Sequence, residues 1–165
     1  MQFKGLALVA SAFIFAACGG GSETQPAAET TPAATAEATP APAAGEVTAA
    51  PATGTTHEIK MIGDDKGYRF EPANITIKQG DAIKFVAVSG FPHNVAFVGT
   101  GLADAVKAQL NANLGPARLA DLSSQMYLAA NEGFTMSFAN IPAGQYEYNC
   151  TPHLAMNMKG VITVQ

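Results

Sequence analysis

The sequence predicts an all-β domain, a Greek-key sandwich or barrel with one short helix at its edge, preceded by a disordered tether. Short runs of alternating apolar and polar residues, separated by turn residues, fill the C-terminal part of the chain and are typical of strands. One segment within them has apolar residues at helical spacing instead. Residues 19–57 lack the large apolar residues that a core requires.

The N-terminus has the layout of a secretory signal. Lys4 precedes an apolar run over residues 5–17, which is too short to span a bilayer comfortably. Phe15-Ala16-Ala17-Cys18 resembles the lipobox of bacterial lipoproteins, in which the signal is removed and the cysteine carries lipid. We therefore expect a signal peptide over 1–17 and a lipid on Cys18. The alternative is a soluble exported protein, and in both cases the mature chain lies outside the cytoplasm, in the periplasm or at the cell surface.

Residues 18–57 are predicted to be a tether. Ala, Thr, Pro, Gly and Glu dominate this segment, and it contains no Leu, Ile, Met, Phe, Tyr or Trp. Such a composition cannot bury enough apolar surface to offset the entropy lost on ordering. A glycosylated, threonine-rich stalk remains an alternative use of the same composition.

The remaining residues, 58–165, fit one small domain with a single core. This stretch contains nine acidic and eight basic side chains, whereas the whole chain has a formal net charge of −4. The domain is therefore nearly neutral. A nucleic-acid partner is excluded because it would need a basic surface.

The strands can be placed from the alternation. We predict strands in the runs 74–78, 82–88, 134–138, 146–148 and 161–164, with turns at Gln79-Gly80-Asp81 and Pro142-Ala143-Gly144. Between these strands an apolar residue recurs at every fourth position, at Leu102, Val106, Leu110 and Leu114. This repeat predicts one short amphipathic helix that packs at the sandwich edge.

Two segments carry the side chains that could bind a metal. The first contains His93, and the second contains Cys150 and His153, three residues apart around a proline. If Cys18 carries lipid, Cys150 has no partner for an intramolecular disulfide, so it is either a small buried hydrophobic residue or a ligand. A thiolate, two imidazoles and a weak thioether form the ligand set that suits copper in electron transfer. The loop offers Met156 and Met158 as the thioether.

At these residues the sequence resembles the plastocyanin-like cupredoxins, a family of blue (type 1) copper proteins. Gly-Phe-Pro-His-Asn-Val and Cys-x-Pro-His-x-x-x-x-Met-x-Gly match the two segments that supply that family's ligands. The resemblance implies a cupredoxin-like fold over 58–165 and one copper held by His93, Cys150, His153 and Met158. It also implies that Asn94 braces the site by a hydrogen bond near the cysteine. Met156 remains the alternative axial ligand, at the spacing of the short-loop amicyanins.

Two departures from plant plastocyanins affect docking. Asn149 stands where those proteins have a tyrosine before the cysteine, and acidic clusters are missing from the corresponding stretches. We therefore expect electrons to pass through an apolar surface around His153 rather than through charge-steered docking. The candidate residues for this electron port are Phe91, Pro92, Pro152 and Leu154.

The predicted function is that of a single-electron carrier. The third histidine, His57, is read as exposed and without a role, so no second metal set is available and an enzyme is not expected. The alternative is an extracytoplasmic protein that stores or delivers copper. The expected partners are redox proteins, such as a cytochrome or a membrane electron-transfer complex, and the membrane through Cys18. The carrier is expected to act as a monomer.

Overall fold

The computed structural model describes residues 47–165, and this part of the chain forms ten strands and one α-helix. The alternating runs become strands because one side of each can be buried. In chain order the elements are β1 Thr56–Asp64, β2 Gly67–Glu71, β3 Asn74–Ile77, β4 Ala82–Ala87, β5 Ala96–Phe97, α1 Asp104–Leu114, β6 Arg118–Ala120, β7 Ser123–Ser124, β8 Gly133–Ser137, β9 Gly144–Asn149 and β10 Lys159–Val164.

The strands form two sheets. One has the order β2-β1-β4-β8 and the other the order β3-β10-β9-β5-β7-β6. The chain crosses between the sheets from β2 to β3 and again from β3 to β4, so neighbours in sequence are often not neighbours in a sheet. Two pairs, β1 with β4 and β3 with β10, are parallel, and the others are antiparallel. The predicted all-β sandwich is confirmed.

The core lies between the sheets and is rich in aromatic rings. Tyr148 contacts Phe70 and Phe85 across the sandwich, with ring centroids 4.6 and 5.9 Å apart. Along β9 the inward positions are Tyr146 and Tyr148, and the same period of two continues to Cys150. Strand alternation therefore points the cysteine into the protein.

The predicted edge helix is also confirmed, as α1. Leu110 and Leu114 are buried, while Leu102 and Val106 are partly buried against the core. The helix stops at Gly115, whose φ of 82° is unfavourable for residues with a side chain.

The packed part of the chain begins before residue 58, inside the predicted tether. Thr56 starts β1, whose parallel pairing with β4 satisfies its backbone groups. Ahead of it, the backbone N–H groups of Thr53 and Gly54 both donate to the Gly80 carbonyl at 2.9 Å. The Ala50 N–H donates to the Asn113 side chain at 2.9 Å. Hydrogen bonds to polar groups of the domain thus hold a segment that has little apolar surface of its own.

His57 differs from its prediction as well. Its side chain is about 29% exposed, and its Nε2 lies 2.9 Å from a carboxylate oxygen of Asp81. That carboxylate also accepts hydrogen bonds from the backbone N–H groups of Thr55 and Lys78. His57 therefore helps to fix the start of β1 beside the turn that precedes β4.

The predicted signal peptide over 1–17, Cys18 and most of the predicted tether lie outside the described residues. Within residues 47–165, no helix is both long enough and apolar enough to cross a bilayer.

Candidate metal centre

Three potential ligands converge at one end of the sandwich. One ligand atom from each of His93, Cys150 and His153 lies within 4.8 Å of the others, and all three residues are buried. Cys150 Sγ is 3.6 Å from His93 Nδ1 and 3.4 Å from His153 Nδ1. Both imidazoles thus present the same nitrogen to the sulfur.

Backbone pairing and one hydrogen bond fix the orientation of His93. Its N–H and carbonyl exchange hydrogen bonds of 3.0 and 2.8 Å with Tyr127. On the imidazole, Nε2 lies 2.7 Å from the Ser89 carbonyl oxygen. A carbonyl can only accept, so Nε2 carries the proton and the Nδ1 lone pair is free for a metal.

Cys150 and His153 come from the loop after β9. A short 3₁₀ segment, Thr151–Met156, turns the chain sharply, and Pro152 is its second residue. The His153 N–H donates to the Cys150 carbonyl at 3.1 Å, which brings the two side chains to the same side of the turn. Asn157, with a φ of 64°, ends the segment in the left-handed conformation that asparagine tolerates better than most residues.

Burial disfavours the charged form of each of the three groups. It raises the pKa of the Cys150 thiol, an effect opposed by hydrogen bonds with the backbones of Asn94 and His153. Burial also lowers the pKa of His93. For His153, burial is the larger cause of a lowered pKa, and the nearby His93 lowers it further. Neutral imidazoles are ready to bind a cation. The thiol must release its proton, so binding is expected to weaken at low pH.

The two methionines of the loop differ sharply in exposure. Met158 is fully buried, whereas Met156 is 53% exposed. Met158 also closes the loop, since its carbonyl accepts from the Cys150 N–H at 3.1 Å and its N–H donates to the His153 carbonyl at 3.2 Å. The burial and the loop contacts favour Met158 over Met156 as a neighbour of the three ligands.

Asn94 joins the two ligand segments. It is fully buried next to His93, and its Oδ1 accepts from the Thr151 N–H at 2.7 Å. Its Nδ2 donates to the hydroxyls of Ser123 and Thr151 at 3.0 and 3.1 Å. Asn94, which follows His93, is thereby hydrogen-bonded to Thr151, which follows Cys150.

The donor set fits a copper ion. Zn²⁺ binds sulfur at about 2.3 Å and nitrogen at about 2.0 Å. An ion at these distances from both atoms would hold the sulfur and the nitrogen about 3.6–3.8 Å apart. The two S···N distances of 3.4 and 3.6 Å are close to that spacing. A thiolate with two imidazoles is typical of copper sites that transfer electrons.

The predicted electron-port residues flank the site. Leu154 is 45% exposed beside His153 and Pro92 is exposed beside His93, while Phe91 and Pro152 are half-buried. The Phe91 ring meets the His93 ring edge-on, with centroids 6.0 Å apart. These residues therefore combine partial exposure with closeness to the two histidines.

Sequence reasoning missed three groups around the site: the Ser89 carbonyl, the Ser123 hydroxyl and the ring of Tyr68. The Tyr68 ring stacks on His153 with centroids 3.8 Å apart and planes 19° apart. A signal was available, because Tyr68 shares a strand face with the buried Phe70, two residues later.

Comparison with known proteins identifies relatives of the packed domain. A model of the family described as copper binding proteins, plastocyanin/azurin family, matches residues 57–165. Plastocyanin of Scenedesmus fuscus is 38% identical over 108 residues, which cover 65% of this chain and 97% of that protein. Plastocyanin of Nostoc punctiforme is 38% identical over 117 residues, covering 67% and 74% respectively.

Other relatives are longer than the matched region. Chloroplastic plastocyanin of Physcomitrium patens is 36% identical over 107 residues, and the match spans 56% of its length and 64% of this chain. Among solved structures, a mutant fern plastocyanin has a TM-score of 0.49 at 26% identity, covering 66% of this chain and 99% of its own. Auracyanin from Roseiflexus castenholzii has a TM-score of 0.47 at 24% identity, covering 68% and 98%.

Proposed function

The chain belongs to the plastocyanin/azurin family of copper-binding proteins, with copper as its cofactor, and from that premise we propose that it carries single electrons between redox proteins. One observation carries the proposal. A buried cysteine sulfur faces the Nδ1 atoms of two buried histidines, drawn from segments 57 residues apart. Ligands held in this way by two packed segments would need little rearrangement between Cu(II) and Cu(I), which suits electron transfer.

A copper ion would be held by His93, Cys150 and His153, with Met158 as a weaker thioether ligand. When bound there, copper would supply a one-electron Cu(II)/Cu(I) couple, reduced by one partner and oxidised by another. The protein contributes a fixed ligand geometry and excludes water. The exposed side chain of Met156 is better suited to cover the surface beside the loop than to bind the ion.

Storage or delivery of copper fits the site less well. Proteins that hand copper on need ligands that an acceptor can reach and exchange. Here Cys150 is fully buried, and His93 and His153 are at most 5% exposed. We therefore expect slow copper exchange, and rapid loss of copper to a weak chelator would support the alternative.

A spectroscopic experiment tests the proposal. The copper-loaded protein should be intensely blue, lose its colour on reduction and show an unusually small copper hyperfine splitting. Cys150→Ser should abolish the colour, while Cys18→Ser, which changes the other cysteine, should leave it intact. A colourless Cu(II) form of the unaltered protein, or colour that survives Cys150→Ser, would refute the assignment.

The proposed port is the apolar surface of Leu154 and its neighbours at the metal end. Leu154 directly follows the ligand His153 and is 45% exposed, so a partner that docks there comes close to the imidazole. The partner class is a redox protein, such as a cytochrome or a membrane electron-transfer complex, with an apolar docking surface. The carrier is proposed to meet it as a monomer.

We further propose that the domain works outside the cytoplasm on a lipid anchor at Cys18, after removal of residues 1–17. The lipobox-like sequence supports this assignment, and the predicted tether follows Cys18. Cys18→Ser should release a soluble or unprocessed form that is still blue. Unchanged membrane retention of that variant would show that Cys18 is not the attachment point.

A further inference from the structure

The Tyr68 ring makes the closest aromatic contact in the described part of the chain. It lies on His153 at a centroid separation of 3.8 Å and 19° between planes. It also meets the His93 ring edge-on at 6.4 Å and 64°. Tyr68 belongs to β2 of the four-stranded sheet, whereas His153 follows β9 of the other sheet. One ring therefore contacts both histidines from across the sandwich.

The backbone around Tyr68 leaves room for the ring. Gly63 is its partner in the β1–β2 ladder. A Cβ added at Gly63 would lie 2.6 Å from Cε1 of Tyr68 and 2.9 Å from the Gly90 Cα. Gly90, with a φ of 75°, is equally tight, since its Cβ would lie 2.5 Å from the Gly63 Cα. Because Gly63 and Gly90 have no side chains, β1 and the loop before His93 can pack closely beside the Tyr68 ring.

We propose that Tyr68 is a positioning residue for His153, which keeps the imidazole in its ligand orientation in both oxidation states; this inference rests on the proposed electron-carrier function. His153 needs such support more than His93 does. The Ser89 carbonyl anchors the far nitrogen of His93 at 2.7 Å, whereas within residues 47–165 the His153 ring has a hydrogen-bonding contact only with the cysteine sulfur. Stacking on Tyr68 replaces that missing anchor.

The contact should matter most when the bonds to the metal are weakest. An imidazole that turns away must return before the next transfer, which adds reorganisation to each cycle. Stacked aromatic pairs carry a modest favourable energy beyond their buried area. Loss of this stacking energy should raise the population of other His153 ring orientations roughly 2- to 12-fold.

Nuclear magnetic resonance of the histidine rings tests the proposal on the Cu(I) protein and on its metal-free form. In the unaltered protein, cross-relaxation should connect the ring protons of Tyr68 and His153, and the His153 signals should be sharp. Tyr68→Leu removes the ring and should broaden the His153 signals by exchange. It should leave the His93 signals much less affected and slow electron self-exchange.

Two further variants separate positioning from general destabilisation. Tyr68→Phe keeps the ring and should behave as the unaltered protein. Phe134→Leu removes a ring that stacks on Phe85 and Tyr127 but on neither histidine, so it should lower stability without broadening His153.

Several outcomes would overturn the inference. These are the absence of Tyr68–His153 cross-relaxation in the unaltered protein, sharp His153 signals in Tyr68→Leu, and equal broadening in Tyr68→Phe. A blue protein with any of these results would refute the positioning role alone. A protein that never turns blue would instead refute the proposed function.

Discussion

Replacing Asn94 by alanine should weaken both the domain and its metal centre. The buried amide makes three hydrogen bonds, to the Thr151 N–H and to the hydroxyls of Ser123 and Thr151. At about 0.5–1.5 kcal/mol for each bond, their loss should lower the free energy of unfolding by about 1.5–4.5 kcal/mol. For a domain of this size, about 4 °C per kcal/mol gives a fall in Tm of about 6–18 °C.

The assay is denaturant unfolding of the metal-free protein together with the visible spectrum of the copper-loaded protein. Asn111→Ala is the matched control, because the Asn111 side chain accepts one hydrogen bond, from the Leu122 N–H at 2.7 Å, which belongs to neither ligand segment. The control should cost less stability and leave the spectrum unchanged. Asn94→Ala should shift the spectrum, since Thr151 follows Cys150. Equal losses in the two variants, with unaltered spectra, would refute the reasoning.

Three other outcomes are expected. Met158→Leu should keep the blue colour and raise the reduction potential in voltammetry, because a weak axial thioether mainly tunes the potential; a larger shift from Met156→Leu would transfer the axial role. The His57 side chain and two backbone N–H groups lower the pKa of Asp81 to about 2, so this carboxylate contributes stability above about pH 4 that is lost as the pH falls towards 2. Asp81→Asn should flatten the pH dependence of denaturant unfolding over that range, and an unchanged slope would contradict the assignment. Electron transfer to a partner should depend weakly on ionic strength in stopped-flow kinetics, whereas a charge placed by Leu154→Asp should slow it; a steep salt dependence of the unaltered protein would argue for charge-steered docking.

Local patterns predicted much of the fold. The strands β3, β8 and β9 alternate between apolar and polar residues, β4 and β10 are short apolar runs bounded by turn or polar residues, and Val106, Leu110 and Leu114 recur every fourth position in α1. The start of β1 and the segment before it could not be recognised in this way. Threonine, alanine and proline have no amphipathic pattern, and contacts with Gly80, Asp81 and Asn113 hold these residues in place. Such contacts are visible only after the sheets have formed.

The candidate centre was predictable for a related reason. Cys150, His153 and Met158 lie within nine residues, and His93 stands in a recognisable loop, so the motif is local apart from one long-range contact. Tyr68 and Asp81 act through partners that only the fold brings near. The sequence therefore indicated which residues could bind the metal but not which ones hold those residues in position. The ligand assignment itself stays a prediction until the spectra are measured.

The parallel pairing of β1 with β4 has a practical consequence for attaching the domain to an electrode. Both strands run from the Asp81 turn towards the metal end, and their paired positions, Thr56–Met61 against Ala82–Ala87, extend over about 17 Å. A linker placed on the side where the chain enters β1 at Thr56 therefore leaves the protein at the pole remote from His153. Attached through such a linker, the domain would present its copper end to the solution, so that current would depend on a diffusing mediator. Direct electron transfer between the copper and the electrode would need a linker placed near Leu154 instead.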